Sequence, residues 1–167
     1  MIKKILLAVA LAIPMFVSAQ TVKIGIVDTN DVLQAMPETK EAQTKIANTS
    51  KEYEDQYAKL QAEYQKLVED FQKLTDADPQ TMKDRKAREI SDTQQKIQTF
   101  LQNADQDLQK LQQELMAPIF TKVKNAVESV GRENSFSLIE ENSPTILYRA
   151  NPVVDVTADV KAKLGLK

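Results

Sequence analysis

The chain contains no cysteine, no histidine and no tryptophan among its 167 residues, and glycine occurs only three times. Without cysteine, the fold has no disulfide bond, no thiolate nucleophile and no sulfur-ligated metal site. Without histidine, it lacks the commonest general base and the commonest metal ligand. The sequence also lacks a glycine-rich phosphate loop and a G-x-S-x-G motif. These absences predict a protein that is not an enzyme and that uses no cofactor and no metal.

The first nineteen residues have the features of a secretory signal peptide. Lys3 and Lys4 form a basic start, residues 5–17 are apolar, and residues 17–19 (Val-Ser-Ala) resemble a cleavage site. The apolar stretch is shorter than the ~20 residues that a membrane-spanning helix needs. We therefore predict an exported protein that is cleaved after Ala19.

The mature chain is predicted to be mildly acidic. Removal of two lysines with residues 1–19 leaves 20 of the 22 basic residues against 24 Asp and Glu, a net charge of −4. Nucleic-acid binding depends on clustered Lys and Arg, so this balance argues against a nucleic-acid partner. Aromatic residues make up only 5% of the chain, which is typical of a helix-rich protein without a large globular core.

Alternating apolar residues at 21–27, TVKIGIV, predict a β-strand near the start of the mature chain. Asp28 or Thr29 is then predicted to cap a short helix that ends at Pro37. No second strand pattern follows for roughly a hundred residues. Because a lone strand leaves N–H and C=O groups unpaired, its partners must come from the other end of the chain. The apolar residues of this strand are Val22, Ile24 and Ile26.

Residues 38–117 contain no glycine and repeat apolar residues every three or four positions, as in a coiled-coil seam. The pattern breaks at residues 75–79, where Asp78 before Pro79 predicts the cap of a second helix. Two helices joined by a short turn must run antiparallel, so this segment is predicted to be a helical hairpin arm. The predicted seam residues are Tyr53, Tyr57, Leu60, Tyr64, Leu67, Phe71 and Leu74 on the first helix, and Ile90, Ile97, Leu101, Ala104, Leu108, Leu111 and Leu115 on the second.

Two prolines mark the predicted base of the arm. Pro37 and Pro118 lie almost symmetrically about the tip, so folding at the tip brings them to the same level. Each helix of about 38 residues would be roughly 57 Å long. Because proline removes a helical hydrogen bond and clashes with the preceding turn, we predict a hinge at these two prolines.

The predicted seam is polar for a coiled coil, because Ser50, Lys83 and Gln94 occupy core positions of the register. Little apolar area is therefore buried, and since burial contributes only about 25 cal/mol per Å², the two helices are held together weakly. This favours a flexible arm; a solvated helical spacer is the alternative. Apolar residues outside the seam are candidates for binding a polypeptide, although isolated exposed apolar residues are ordinary on protein surfaces. These candidates are Ile46, Val68, Met82 and Phe100.

The C-terminal part is predicted to supply the missing strands. A helix after Pro118 is predicted to end at Gly131, a residue typical of helix C-termini. Residues 136–139 and 145–148 are predicted strands joined by a turn-rich loop, and the apolar residues 152–156 follow.

Thr157 is predicted to cap a last helix over residues 158–164. The fold class is thus predicted to be α+β, with a small body formed by residues 20–37 and 118–167 and the hairpin arm inserted between them. A body of that size is marginally stable alone, so oligomerisation is expected to complete its sheet.

Three segments carry a resemblance to a known family: KIGIVDTNDVLQAMPE, LMAPIFTKVKNAVESVGRENSFSLIEEN and DVTADVKAKL. They resemble the Skp/OmpH family of periplasmic chaperones, in the same order along the mature chain. The resemblance implies a periplasmic homotrimer with a shared barrel-like body, whose arms surround a cavity that holds unfolded outer-membrane proteins without ATP. It implies no catalytic residues. In such a trimer, Val22, Ile24 and Ile26 are expected to contribute to the shared core.

The charge of the arm departs from the basic members of that family. Residues 38–117 carry 12 Lys and Arg against 16 Asp and Glu. This excess of negative charge argues against binding of lipopolysaccharide or an anionic membrane. A structural or adaptor role in the cell envelope is the alternative function for a protein with such a coiled-coil hairpin.

Overall fold

The structure, a computed structural model, describes residues 22–166. The predicted signal peptide and its cleavage site lie outside the described residues. The described chain has the predicted α+β fold, with a small sheet and a long helical hairpin. Within these residues, no helix is both long and apolar enough to cross a membrane. In chain order the elements are β1 (Ile24–Val27), α1 (Thr29–Ala35), α2 (Pro37–Gln72), α3 (Gln80–Glu133), β2 (Leu138–Glu141), β3 (Val153–Asp155) and α4 (Thr157–Lys163).

The N-terminal strand lies in the middle of the sheet, between two strands from the other end of the chain. β2 and β3 both run parallel to β1, in the order β2-β1-β3. Ile24 lies beside Leu138 in β2 and beside Val153 in β3. The prediction that the lone strand finds its partners beyond the arm is confirmed.

The core of the body forms where β1 packs against α1, α3 and α4. It also extends into the segment predicted to be arm, because Ala42 of α2 is buried and Leu115 of α3 packs against the same cluster. The first turns of α2 therefore begin the arm and also stabilise the body. The buried core residues are Val27, Val32, Leu33, Met36, Ala42, Ile119, Val123, Ala126, Val130, Val156 and Val160.

The predicted side-chain cap is confirmed for α1 and is wrong for α3. Asp28 caps α1, since its Oδ1 accepts a hydrogen bond from the backbone N of Asp31 at 2.9 Å. Asp78 does not cap α3, which begins after Pro79. Its Oδ2 instead accepts from the backbone N and the hydroxyl of Thr75, at 2.7 and 3.0 Å. These two hydrogen bonds lower the pKa of Asp78 and close the turn at the tip of the arm.

The predicted end of α3 at Gly131 is wrong, because the helix continues to Glu133. The chain leaves the helix through Ser135, whose φ is +55°. At Gly131 the chain of β2 approaches the helix closely. A Cβ at Gly131 would lie 3.3 Å from Cδ1 of Ile139.

Two further predictions about the C-terminal part are wrong. Residues 145–148 form no strand, and the third strand of the sheet is β3. Thr157 is the first residue of α4 and its cap position is Val156. The hydroxyl of Thr157 accepts a hydrogen bond from the backbone N of Asp28 at 2.9 Å, so it joins α4 to the end of β1.

Candidate functional site

The two helices of the arm are joined by an aromatic and hydrogen-bonded contact at Tyr53. Its ring meets the ring of Phe100 edge to face, with centroids 5.9 Å apart and an interplanar angle of 67°. Its hydroxyl donates to Oδ2 of Asp107 at 3.0 Å. This hydrogen bond raises the pKa of Tyr53, because loss of the phenolic proton would place two negative charges together.

The register of α3 differs from the predicted seam around this contact. Phe100 was predicted to lie outside the seam, but it packs against Tyr53 and is half-buried. Leu101, predicted to lie in the seam, is 41% exposed. Two turns earlier, Thr93 is buried where the prediction placed Gln94. At these two positions the inward residue is therefore one before the predicted one, whereas Ile97 is half-buried and Ala104 is buried, as predicted.

The other three candidates for polypeptide binding lie along the arm. Ile46 and Val68 are half-buried, and Met82, near the tip, is 37% exposed. Phe71, a predicted seam residue, is 36% exposed and lies on the opposite side of the tip loop from Met82. Isolated apolar side chains thus reach solvent on a largely charged arm.

Between Tyr53 and the tip, two charged pairs join the two helices, and a third joins the tip loop to α3. Their N–O distances are 3.8, 3.9 and 3.8 Å. Exposed pairs of this kind contribute at most about 1 kcal/mol each and weaken with salt. The outer part of the arm is therefore held more weakly than its base. These pairs are Glu63–Lys96, Asp70–Lys86 and Asp76–Lys83.

The base of the arm is closed by a shorter contact. Lys122 Nζ lies 2.6 Å from Oε1 of Glu38, and this hydrogen bond lowers the pKa of Glu38. Pro37 is the first residue of α2, where its missing N–H costs nothing. Pro118 lies inside α3, which runs from the arm into the body.

One face of the sheet carries apolar side chains that the helices do not cover completely. Gly25 and Val27 are buried toward the helices, whereas Ile24 and Ile26 point to the other face and are half-buried. Val22, just before β1, is 65% exposed. Other large apolar residues exposed on the body, which the sequence analysis did not single out, are Phe120, Leu138, Leu147, Tyr148 and Val154.

This architecture of a small sheet body with an inserted helical arm can be compared with known proteins. The family model described as "Outer membrane protein (OmpH-like)" matches residues 23–164. The chain belongs to the OmpH-like family. The match spans the strand, the whole arm and the C-terminal helix, so the family resemblance of the sequence is confirmed.

A named relative within the same family covers almost the whole chain. It is the chaperone protein Skp of Yersinia enterocolitica, 30% identical over 165 residues. The alignment includes 95% of this chain and 96% of that protein. The alignment therefore includes residues of both the arm and the body.

Proposed function

We propose that this protein is an ATP-independent holdase of the periplasm, which binds unfolded outer-membrane proteins between its arms and prevents their aggregation. The main support is its membership of the OmpH-like family, together with a long polar arm that exposes isolated apolar side chains. The similarity to a chaperone over almost the whole chain agrees with this proposal. Weak, scattered contacts suit a protein that must bind many sequences and release them.

The sequence indicates four candidates for contact with the unfolded polypeptide: Ile46, Val68, Met82 and Phe100. Met82 keeps that role in the proposal because it is exposed, and Leu101 replaces Phe100 on the outer surface of α3. The excess of acidic residues on the arm argues against lipopolysaccharide or anionic lipid as an alternative ligand.

An arm of reduced length provides the test of the holdase function. Removal of residues 57–70 and 90–103 deletes two heptads from each helix, keeps the Tyr53–Asp107 pair, and shortens the arm by about 21 Å. The full-length protein should suppress light scattering of an outer-membrane barrel protein diluted from urea, without nucleotide. The shortened protein should fold but protect less. Equal protection by both would contradict the proposal, and no protection by either would favour a structural or adaptor role.

The holdase is proposed to act as a homotrimer that shares its sheet core. Val22, Ile24 and Ile26 lie on the incompletely covered face, and β2 is an edge strand with an open side. The segment 145–148 has the composition of a strand but joins no sheet within the described residues 22–166. We propose that this segment pairs with the sheet of a neighbouring subunit.

Substitution of Leu147 and Tyr148 tests this assembly without disturbing the single chain. They are 98% and 83% exposed, so replacing both with serine removes little contact within the subunit. Sedimentation equilibrium at micromolar concentration should give a trimer for the wild type and smaller species for the double variant. Leu101→Ser, on the arm, is the matched control and should stay trimeric. A monomeric wild type would contradict the trimer.

Export is proposed to precede this function. Residues 1–19 form the proposed signal peptide, so the mature periplasmic protein should begin at Gln20. The intact mass of the protein purified from an exporting cell measures this directly. A mass that includes Met1 to Ala19 would contradict the proposed processing.

A further inference from the structure

A groove with an apolar floor lies at the base of the arm, between the first turns of α2 and the part of α3 around Pro118. Its volume is about 430 Å³, within the range of sites that bind small organic groups. Ala42, Leu115, Pro118 and Ile119 supply its apolar surface. We call this site the base groove.

The charged residues around the base groove cancel one another. Two carboxylates, Glu38 and Glu41, and two ammonium groups, Lys45 and Lys122, line it. Glu38 and Lys122 are already paired at 2.6 Å, which leaves one charge of each sign. These charged residues together attract neither an anion nor a cation strongly. The ligand that best fits the base groove is therefore an uncharged apolar group.

Pro118, which lines the groove, also leaves one backbone carbonyl of α3 without its helical donor. Pro118 has no N–H, so the carbonyl of Glu114, one turn earlier in α3, lacks the helical donor that it would otherwise have. A hydrocarbon or lipid tail brings no donor to this carbonyl. An extended polypeptide brings an apolar side chain and backbone N–H groups together.

We propose that the base groove binds one aromatic or long aliphatic side chain of an extended, unfolded polypeptide, with an N–H of the same segment donating to the carbonyl of Glu114. The inference rests on the holdase function proposed above and gives it a defined anchoring site. It places this anchor where the arm meets the body, away from the exposed residues Met82 and Leu101 near the middle and tip of the arm.

Methyl NMR of the full-length protein can test the base groove directly. The probe is a capped, uncharged pentapeptide, Gly-Ser-Trp-Gly-Ser, and the control replaces its tryptophan with glycine. The tryptophan peptide should shift the methyl signals of Ala42, Leu115 and Ile119, and the glycine peptide should not. An unfolded outer-membrane protein bound to the chaperone should displace the tryptophan peptide and restore these signals.

A matched pair of variants separates groove binding from loss of packing. Leu115 lines the groove. Leu111, one turn earlier in the same helix, does not line the groove, and both side chains are half-buried. Leu115→Gln should weaken the peptide affinity roughly threefold to tenfold, because less apolar surface is available to the probe. Leu111→Gln should change it less than twofold.

Several results would overturn the inference. These are equal shifts with both peptides, equal weakening by both variants, or an unfolded protein that binds without affecting the groove signals. The last result would leave the holdase function intact, whereas failure of the full-length protein to bind any unfolded client would remove the function itself. Groove signals that move on dilution of the protein alone would mean that a second copy fills the groove, and would also overturn the inference.

Discussion

The hydroxyl of Tyr53 lies 3.0 Å from Oδ2 of Asp107, and this hydrogen bond joins the two helices of the arm between its base and its tip. The same ring packs on Phe100. Closer to the tip, the N–O distances of the charged pairs Glu63–Lys96 and Asp70–Lys86 between the helices are 3.8 and 3.9 Å. Among the described residues, the shortest polar contacts between the two helices are therefore Tyr53–Asp107 and Glu38–Lys122 at the base.

Tyr53→Phe should loosen the arm while keeping its aromatic packing. The variant removes the hydrogen bond to Asp107, which joins the two helices of the arm. Spin labels at Ala62→Cys and Gln98→Cys, unique because the chain has no other cysteine, should give a broader distance distribution. Tyr57→Phe is the control, because the Tyr57 hydroxyl contacts Gln61 on its own helix. Equal broadening by both variants would contradict the role of Tyr53.

Gly25→Ala should destabilise the body by about 1–3 kcal/mol. An added Cβ would lie 3.1 Å from Cγ1 of Ile139 and 3.1 Å from Cε1 of Phe136, so both side chains would have to move. Gly131→Ala is the control. It meets only the flexible end of Ile139, and alanine gains about 1 kcal/mol over glycine inside a helix. Thermal unfolding should therefore separate the two variants, and similar losses would refute the packing argument.

Thr157→Val should lower the free energy of unfolding by about 1 kcal/mol or more. Valine keeps the shape of the buried threonine but leaves the backbone N of Asp28 without its acceptor. Thr121→Val is the matched control, because that exposed hydroxyl bonds only to Ala117 O in its own helix. Urea titration measures the free energy of unfolding of both variants. A Thr157 variant as stable as the control would show that this hydrogen bond contributes nothing to stability.

Stability should fall in acid because three carboxyl groups have lowered pKa values in the folded protein. Hydrogen bonds from the Thr157 hydroxyl and backbone N lower the pKa of Asp155, and similar bonds act on Glu38 and Asp78. Their stabilisation is complete above the unfolded values near 4 and is lost as the pH falls through the lower folded values.

Asp155→Asn should therefore flatten the decrease of Tm below about pH 4, because asparagine does not titrate. Asp105→Asn, at an exposed position on the arm, is the control and should leave the slope unchanged. A slope identical in the wild type and the Asp155 variant would assign the acid sensitivity to other groups.

Pro118→Ala should stiffen the base of the arm. Alanine restores the N–H that the carbonyl of Glu114 lacks and relieves the clash of the proline ring with the preceding turn. Small-angle scattering should then show a narrower range of arm separations, with the assembly unchanged. Pro144→Ala, in the loop of the body, is the control. An unchanged distribution for Pro118→Ala would remove the hinge role.

Much of the arm follows from the sequence because helical periodicity is a local property. The apolar spacing predicts two antiparallel helices and a tip near residues 75–79, and the structure has its loop between Gln72 and Gln80. The exact inward face was harder to predict, since Phe100 and Leu101 fit a period of 3.6 residues equally well after Ile97. The ring of Tyr53 on the other helix decides between them.

The body shows the limits of local patterns more clearly. Residues 145–148 have strand composition but join no sheet in the part of the chain that the structure describes, whereas Val153–Asp155 pair with β1. Asp78 has the position of a helix cap, but its carboxylate bonds to Thr75 within the turn. In each case the outcome depends on which backbone groups are within reach of a hydrogen bond, and no local pattern contains that information.

The sequence by itself determined the α+β class, the length of the arm and the family, because alternation, heptad spacing and ordered segments are properties of the chain. The tertiary structure decided the central place of β1, the inward turn of Phe100 and the base groove around Pro118. These features join residues far apart in the chain, as in the pair of Ile24 and Leu138. Their positions depend on packing and hydrogen bonding between elements, which only the folded chain brings together.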